Sequence, residues 1–141
     1  MHLATQLLAT GLLAIVMTLI HALGVIGTTK LLRLDDRNLS AQRLDGTAFA
    51  LLVTMFLCLF ALHVLEIAVF ALFYFMVGAV SKFGEALFFS ASSYATLGSP
   101  DAVIPEDWKL VGAFEGLMGF LLIGWSTAVF VTDVNKLLRK V

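Results

Sequence analysis

The chain has 141 residues, 60% of them hydrophobic and 13% charged, with a mean hydropathy of +0.99 and a formal net charge of −1. A soluble domain carries about 25% charged residues, so this composition excludes an ordinary soluble fold, and the near-neutral balance excludes an electrostatic nucleic-acid binder. The length fits one domain, and one cysteine, Cys58, excludes an intrachain disulfide.

Three apolar stretches follow in order. Leu3–Ile26 is interrupted only by Thr5, Gln6, Thr10, Thr18 and His21; Ala48–Val80 contains His63 and Glu66; Leu110–Val134 contains Glu115 and Asp133. Each reaches the roughly 20 residues that a membrane span needs. The first lacks a basic n-region, and its apolar run exceeds the usual signal-peptide length of about 7–15 residues, so it reads as a retained helix. The second is long for one span and too short for two, which predicts tilt or protrusion. The helices expected are an N-terminal span over 1–29, a linker over 30–45, a second span over 46–80 and a third over 107–138, an all-α polytopic membrane fold.

Lysine and arginine set the expected orientation. Lys30, Arg33, Arg37 and Arg43 lie in the first linker and Lys136, Arg139 and Lys140 near the C-terminus; only Lys82 and Lys109 lie between the second and third stretches. The linker and C-terminus are therefore expected in the cytoplasm, with the N-terminus and residues 81–109 outside. The localisation expected is a bacterial-type inner membrane, with the lipid bilayer as a partner.

Between the second and third stretches, residues 85–108 read EALFFSASSYATLGSPDAVIPEDW. Ser81 is the expected N-cap of a short helix, with Glu85 in its first turn opposing the positive end of the dipole. A helix from Lys82 to Tyr94 is roughly 20 Å long, too short to cross. It must be re-entrant, followed by irregular backbone over Thr96–Asp101 that is tolerated at membrane depth only where it is buried in protein or lines water. Such a helix aims its negative C-terminal end at the membrane centre, which favours a cation there.

The run Ala86-Leu87-Phe88-Phe89-Ser90, then Tyr94-Ala95-Thr96-Leu97-Gly98, then Asp101 and Trp108, resembles the pore of bacterial two-helix potassium channels, whose pattern is a pore helix, Thr-Val-Gly-Tyr-Gly-Asp and an inner helix. Residues 116–128, GLMGFLLIGWSTA, are similar to the family's inner helix. The likeness covers about 48–134 and leaves the first span as an addition. It implies a pore domain over 46–141, with pore helix and filter at 81–101, and a homotetramer around one axial pore. It also implies passive conduction of potassium or another monovalent cation, with no other cofactor. Thr96, Leu97 and Gly98 match the inner half of the filter, where carbonyls and the Thr hydroxyl replace a hydration shell. Asp101 would concentrate cations at the mouth. By the same likeness Leu121, Gly124, Ala128, Val129 and Thr132 line the cavity.

The sequence departs from the family at Ser99 and Pro100, which stand where the pattern has an aromatic and a glycine. Proline is fixed near φ −65° and pushes Ser99 toward extended backbone. The outer half of the filter cannot take the family conformation, so weakened selectivity is expected. The alternative reading is a non-conducting membrane protein that keeps the channel fold as an assembly or regulatory module.

Other polar residues have structural and functional readings. Glu66 and Glu115 are intramembrane carboxylates, functional candidates by default. Glu115 is expected to support the filter by hydrogen bonding to Ser92, Ser93 or Tyr94. His63 and Glu66, at i and i+3, share a helical face and read either as a buried pair or as a pH-sensing pair. His21 reads as a polar contact between helices. Met55, Cys58, His63 and Glu66 invite a metal, but metal sites need ligands converging from several elements, and no metal is expected. Gly112, Gly116 and Gly119 read as a stripe for close helix packing. Trp108 fits an interfacial belt, while Trp125 is expected to lie deep and to need a partner for its indole N–H. No nucleophile–base set or phosphate-cradling loop points to an enzyme.

Overall fold

The computed structural model describes residues 3–32, 46–98 and 106–138, and the described residues contain helices and turns and no strand. Among the described residues, four α-helices carry the fold. Helix α1 spans Leu3–Leu31, α2 spans Gly46–Met76, α3 spans Phe83–Tyr94 and α4 spans Lys109–Leu138, the last preceded by a 3₁₀ turn at Glu106–Trp108. Helices α1, α2 and α4 are each long and apolar enough to cross a membrane; α3, at 12 residues, is about 18 Å long and is not. The chain is an all-α membrane protein with three spans and one short helix between the second and third.

The helix ends have local causes. Helix α1 runs one turn past the apolar stretch and places Lys30 in its last turn, where a cation complements the dipole. Helix α2 stops at Met76 rather than continuing to residue 80. Gly78 takes φ +71°, and the amides of Ala79 and Gly78 donate back to the carbonyls of Tyr74 and Phe75 at 2.9 and 3.2 Å. That is a Schellman cap, for which glycine supplies the left-handed residue without steric cost. The N-cap of α3 is Lys82, in extended conformation and with no side-chain cap bond, not Ser81. Lys82 instead pairs with Glu85 at 3.0 Å on the surface.

Helix α3 lies against both α2 and α4. Its buried residues Ala86, Phe89 and Tyr94 pack with Phe70, Ala71 and Tyr74 of α2, with Val111 and Leu122 of α4, and with Met17 of α1. The glycine stripe of α4 allows the approach. A Cβ on Gly112 would lie 2.7 Å from the Phe89 ring, one on Gly116 would lie 2.9 Å from the Ser93 carbonyl oxygen, and one on Gly119 would collide with the Tyr94 carbonyl. Helix α1 packs on α2 and α4 through a second core of Val25, Met55, Leu59 and Leu62, and there Gly24 leaves room for the Leu62 side chain. Trp108 packs edge-on against Phe73.

Candidate functional site: the turn after α3 and its two carboxylates

The last turn of α3 leads directly into the expected filter. The Thr96 amide donates to the Ser93 carbonyl and the Leu97 amide to the Ser92 carbonyl, both at 2.9 Å. This is the same Schellman geometry that ends α2, with Thr96 in the left-handed position at φ +57°. The two caps differ in residue. At the end of α2 the position is glycine; here it is β-branched, a conformation that costs a non-glycine residue roughly 1–2 kcal/mol. Gly98 follows at φ +78°. Thr96, Leu97 and Gly98 are all exposed, Leu97 at 81%. Ser92 and Ser93 support this turn through their backbone carbonyls. Ser99, Pro100 and Asp101, the remaining filter candidates, lie outside the described residues.

Behind the turn, two carboxylates grip successive turns of α3. Ser90 and Tyr94, at i and i+4, share one face of the helix. The Ser90 hydroxyl reaches Oε1 of Glu115 at 2.5 Å and the Ile67 carbonyl at 2.9 Å, while the Tyr74 hydroxyl donates to Oε2 of Glu115 at 2.8 Å. Glu115 therefore does clamp the short helix, but through Ser90 and Tyr74 and not through the expected Ser92, Ser93 or Tyr94. The reason is helical phase. Gly116 and Gly119 sit against the backbone of Ser93 and Tyr94, so α4 contacts the end of α3 through backbone, and Glu115 meets it one turn earlier.

The Tyr94 hydroxyl donates instead to Oε2 of Glu66. Glu66 is the centre of a larger cluster. Nδ1 of His63 lies 3.1 Å from Glu66 Oε2 and 2.8 Å from the Tyr94 hydroxyl, and Nδ1 of His21 lies 2.8 Å from Glu66 Oε1. Nε2 of His21 faces Ser126 Oγ at 3.4 Å, and the imidazole lies tilted by 48° against Trp125 with centroids 5.1 Å apart. Glu66, Glu115 and His21 are all fully buried. The His63–Glu66 pair read from the sequence is thus real, but it is half of a four-residue cluster. His21 makes the expected polar contact between helices; Trp125, expected deep with a partner for its indole N–H, is instead 41% exposed and meets the same imidazole through its ring.

The expected cavity-lining residues Leu121, Gly124, Ala128 and Thr132 are exposed on α4, on the side away from the glycines that press on α3. Ala128, Val129 and Thr132 also border a cleft of about 520 Å³ toward Val25 and Thr29 of α1.

A short helix held between two spans ends in an uncovered left-handed turn, and residues 62–136 match the family model for ion channels. The chain belongs to the ion channel family. The match spans more than half of the chain: the C-terminal part of α2, α3, the segment after it and α4 through Lys136. It is consistent with the likeness to a potassium-channel pore domain. No curated protein and no solved structure matches the chain. His63, Glu66, Tyr94 and Glu115 fall inside the matched segment; α1, with His21, falls outside it.

Proposed function

We propose that the protein is a passive cation channel, conducting potassium or other monovalent cations with weakened selectivity, and that it works as a homotetramer. The observation that carries this reading is the uncovered turn at Thr96–Gly98. A β-branched residue held in the left-handed region is a strained choice, and such strain clusters at functional sites. Thr96 directly follows the negative end of α3 and carries a hydroxyl there, which supports a cation position. Leu97 and the apolar side chains of Leu117, Phe120 and Leu121 are exposed in one chain. Four copies around an axis would line a pore with the turn and with Leu121, Gly124, Ala128 and Thr132. The filter text TLGSPD supports weak selectivity, because Pro100 denies the outer half its glycine geometry. The bias of basic residues supports a cytoplasmic linker and C-terminus, in an inner membrane of bacterial type.

The test is flux from liposomes containing the purified protein, with potassium and sodium followed in parallel. Wild-type flux that Thr96→Ala alters is the expected result, with a potassium-to-sodium ratio well below that of a selective channel. Thr96 is exposed, so the substitution leaves the chain's packing intact. Absence of flux at every pH and voltage, in protein that is tetrameric by mass in detergent, would instead favour a non-conducting assembly module, the reading that Ser99-Pro100 motivates. A stable monomer would remove the axial pore altogether.

A further inference from the structure

We propose that His21, His63 and Glu66 form a binding site for a divalent transition-metal ion of the zinc class, with the Tyr94 oxygen as a fourth donor. The ligand atoms of His21, His63 and Glu66 all lie within 4.8 Å of one another. Donors around a tetrahedral zinc, at about 2.0–2.1 Å from the metal, stand roughly 3.4 Å apart, so small side-chain rotations close the shell. Histidine and glutamate come from α1 and α2 and the phenol from α3. This is the convergence from several elements that the sequence reading found missing when only α2 was considered. Two imidazoles and two oxygens suit zinc or its neighbours; calcium and magnesium take six or more oxygens.

The arrangement carries more nitrogen than a carboxylate needs. One partner already satisfies each oxygen: His21 sits on Oε1, and Tyr94 alone would serve Oε2. His63 competes with Tyr94 for that second oxygen, its Nδ1 being within reach of both. A metal resolves the competition. Each imidazole then presents the Nδ1 lone pair and carries its proton on Nε2. For His21 that Nε2–H has an acceptor in Ser126 Oγ, the outer partner that orients a metal-bound histidine. Tyr94 keeps its O–H, donates it to Glu66 Oε2, and offers the metal an oxygen lone pair. An approach exists as well. A cavity of about 320 Å³ between α2 and α4 is lined by both His63 and Ser126, among apolar side chains. Bound there, the ion would tie α1 and α2 to the last residue of α3, two residues before Thr96.

The test uses full-length protein purified in detergent without a polyhistidine tag, stripped with chelator and equilibrated with zinc. One tightly held zinc per chain is expected, and Co2+ in its place should give the intense visible absorption of a tetrahedral site. His21→Asn and Glu66→Gln should each abolish tight binding, and Ser126→Ala should weaken it about 10-fold. No tight zinc in the wild type, an octahedral Co2+ spectrum, or full retention of zinc in both His21→Asn and His63→Asn would overturn the site. The spectrum needs no variant, so misfolding of a substituted chain cannot mask the answer. Binding is read without flux, so the site stands or falls separately from the proposed channel activity.

Discussion

Two fully buried carboxylates hold the same short helix, and they are built differently. Glu115, on α4, is met by two hydroxyls, Tyr74 of α2 and Ser90 of α3, and all three residues lie inside the segment shared with ion channels. Glu66, on α2, is met by a phenol and two imidazoles, one of them from α1. The first cluster is self-contained and fixes where α3 sits. The second reaches outside the shared segment and makes the added helix part of what holds the end of α3. The pore-like unit thus carries one internal clamp and one that depends on its extra span, and the dependent one lies closer to the expected filter.

The largest test of that difference is Glu66→Leu in metal-free protein. It removes the partner of His21 Nδ1 and leaves that atom buried, while the Tyr94 hydroxyl and His63 Nδ1 keep only each other. Leaving a buried polar group unpartnered costs about 1–3 kcal/mol, and the loss of three contacts at once places this variant at the top of that range, read as earlier unfolding in a denaturing-detergent titration. Because α1 is held to α2 partly through His21, proteolysis near α1 should rise in the same variant. Unchanged stability would mean that the cluster contributes nothing net, and that α1 is held by the apolar contacts of Val25 and Leu62 alone.

Glu115 should respond less, and in a way that separates shape from charge. Glu115→Gln keeps an oxygen to accept from Tyr74 and adds an amide that donates to Ser90, so it should stay within about 1 kcal/mol of wild type. Glu115→Leu strands the Tyr74 hydroxyl, while Ser90 keeps the Ile67 carbonyl, and should cost about 1–3 kcal/mol. If Gln were as damaging as Leu, the clamp would need a carboxylate and the description of Glu115 as a structural post would fail. Both variants are compared by the same unfolding titration.

Much of this contrast was visible in the chain's own text, and the hidden part has a physical reason. Three apolar runs, a short segment between the last two, and carboxylates inside two spans are local patterns, readable from hydropathy and spacing. The His63–Glu66 pair is local too, at i and i+3. The contact from His21 to Glu66 spans 45 residues and depends on how α1 rotates and slides against α2, which the smooth apolar run of α1 does not encode. Its one available signal was that His21 is the only strongly polar residue deep in that run. Glu115 was paired with the wrong serines because a helix turns about 100° per residue, so a shift of two or three positions along α3 changes the face. Ser90 is the better guess for Glu115; Tyr94, on the same face at i+4, turns its hydroxyl to Glu66 instead. The N-cap at Lys82 was missed since Ser81 has the right side chain and the backbone turn that begins at Gly78 ends one residue later.

The smallest expected effect compares two glycines, one on each side of the same divide. Gly119 of α4 touches the Tyr94 carbonyl, and Gly24 of α1 faces the tip of the Leu62 side chain. Backbone at the end of α3 is fixed by the Schellman cap, so Gly119→Ala must push the helices apart and should cost about 1–3 kcal/mol. The δ-methyl groups of Leu62 are the end of a flexible side chain and can change rotamer, so Gly24→Ala should cost less than about 1 kcal/mol, partly offset by the better helix propensity of alanine. Equal costs at the two sites would mean that α1 is seated as rigidly as α4. A markedly smaller cost at Gly24 means that polar contacts through His21, more than close packing, set where the added helix lies.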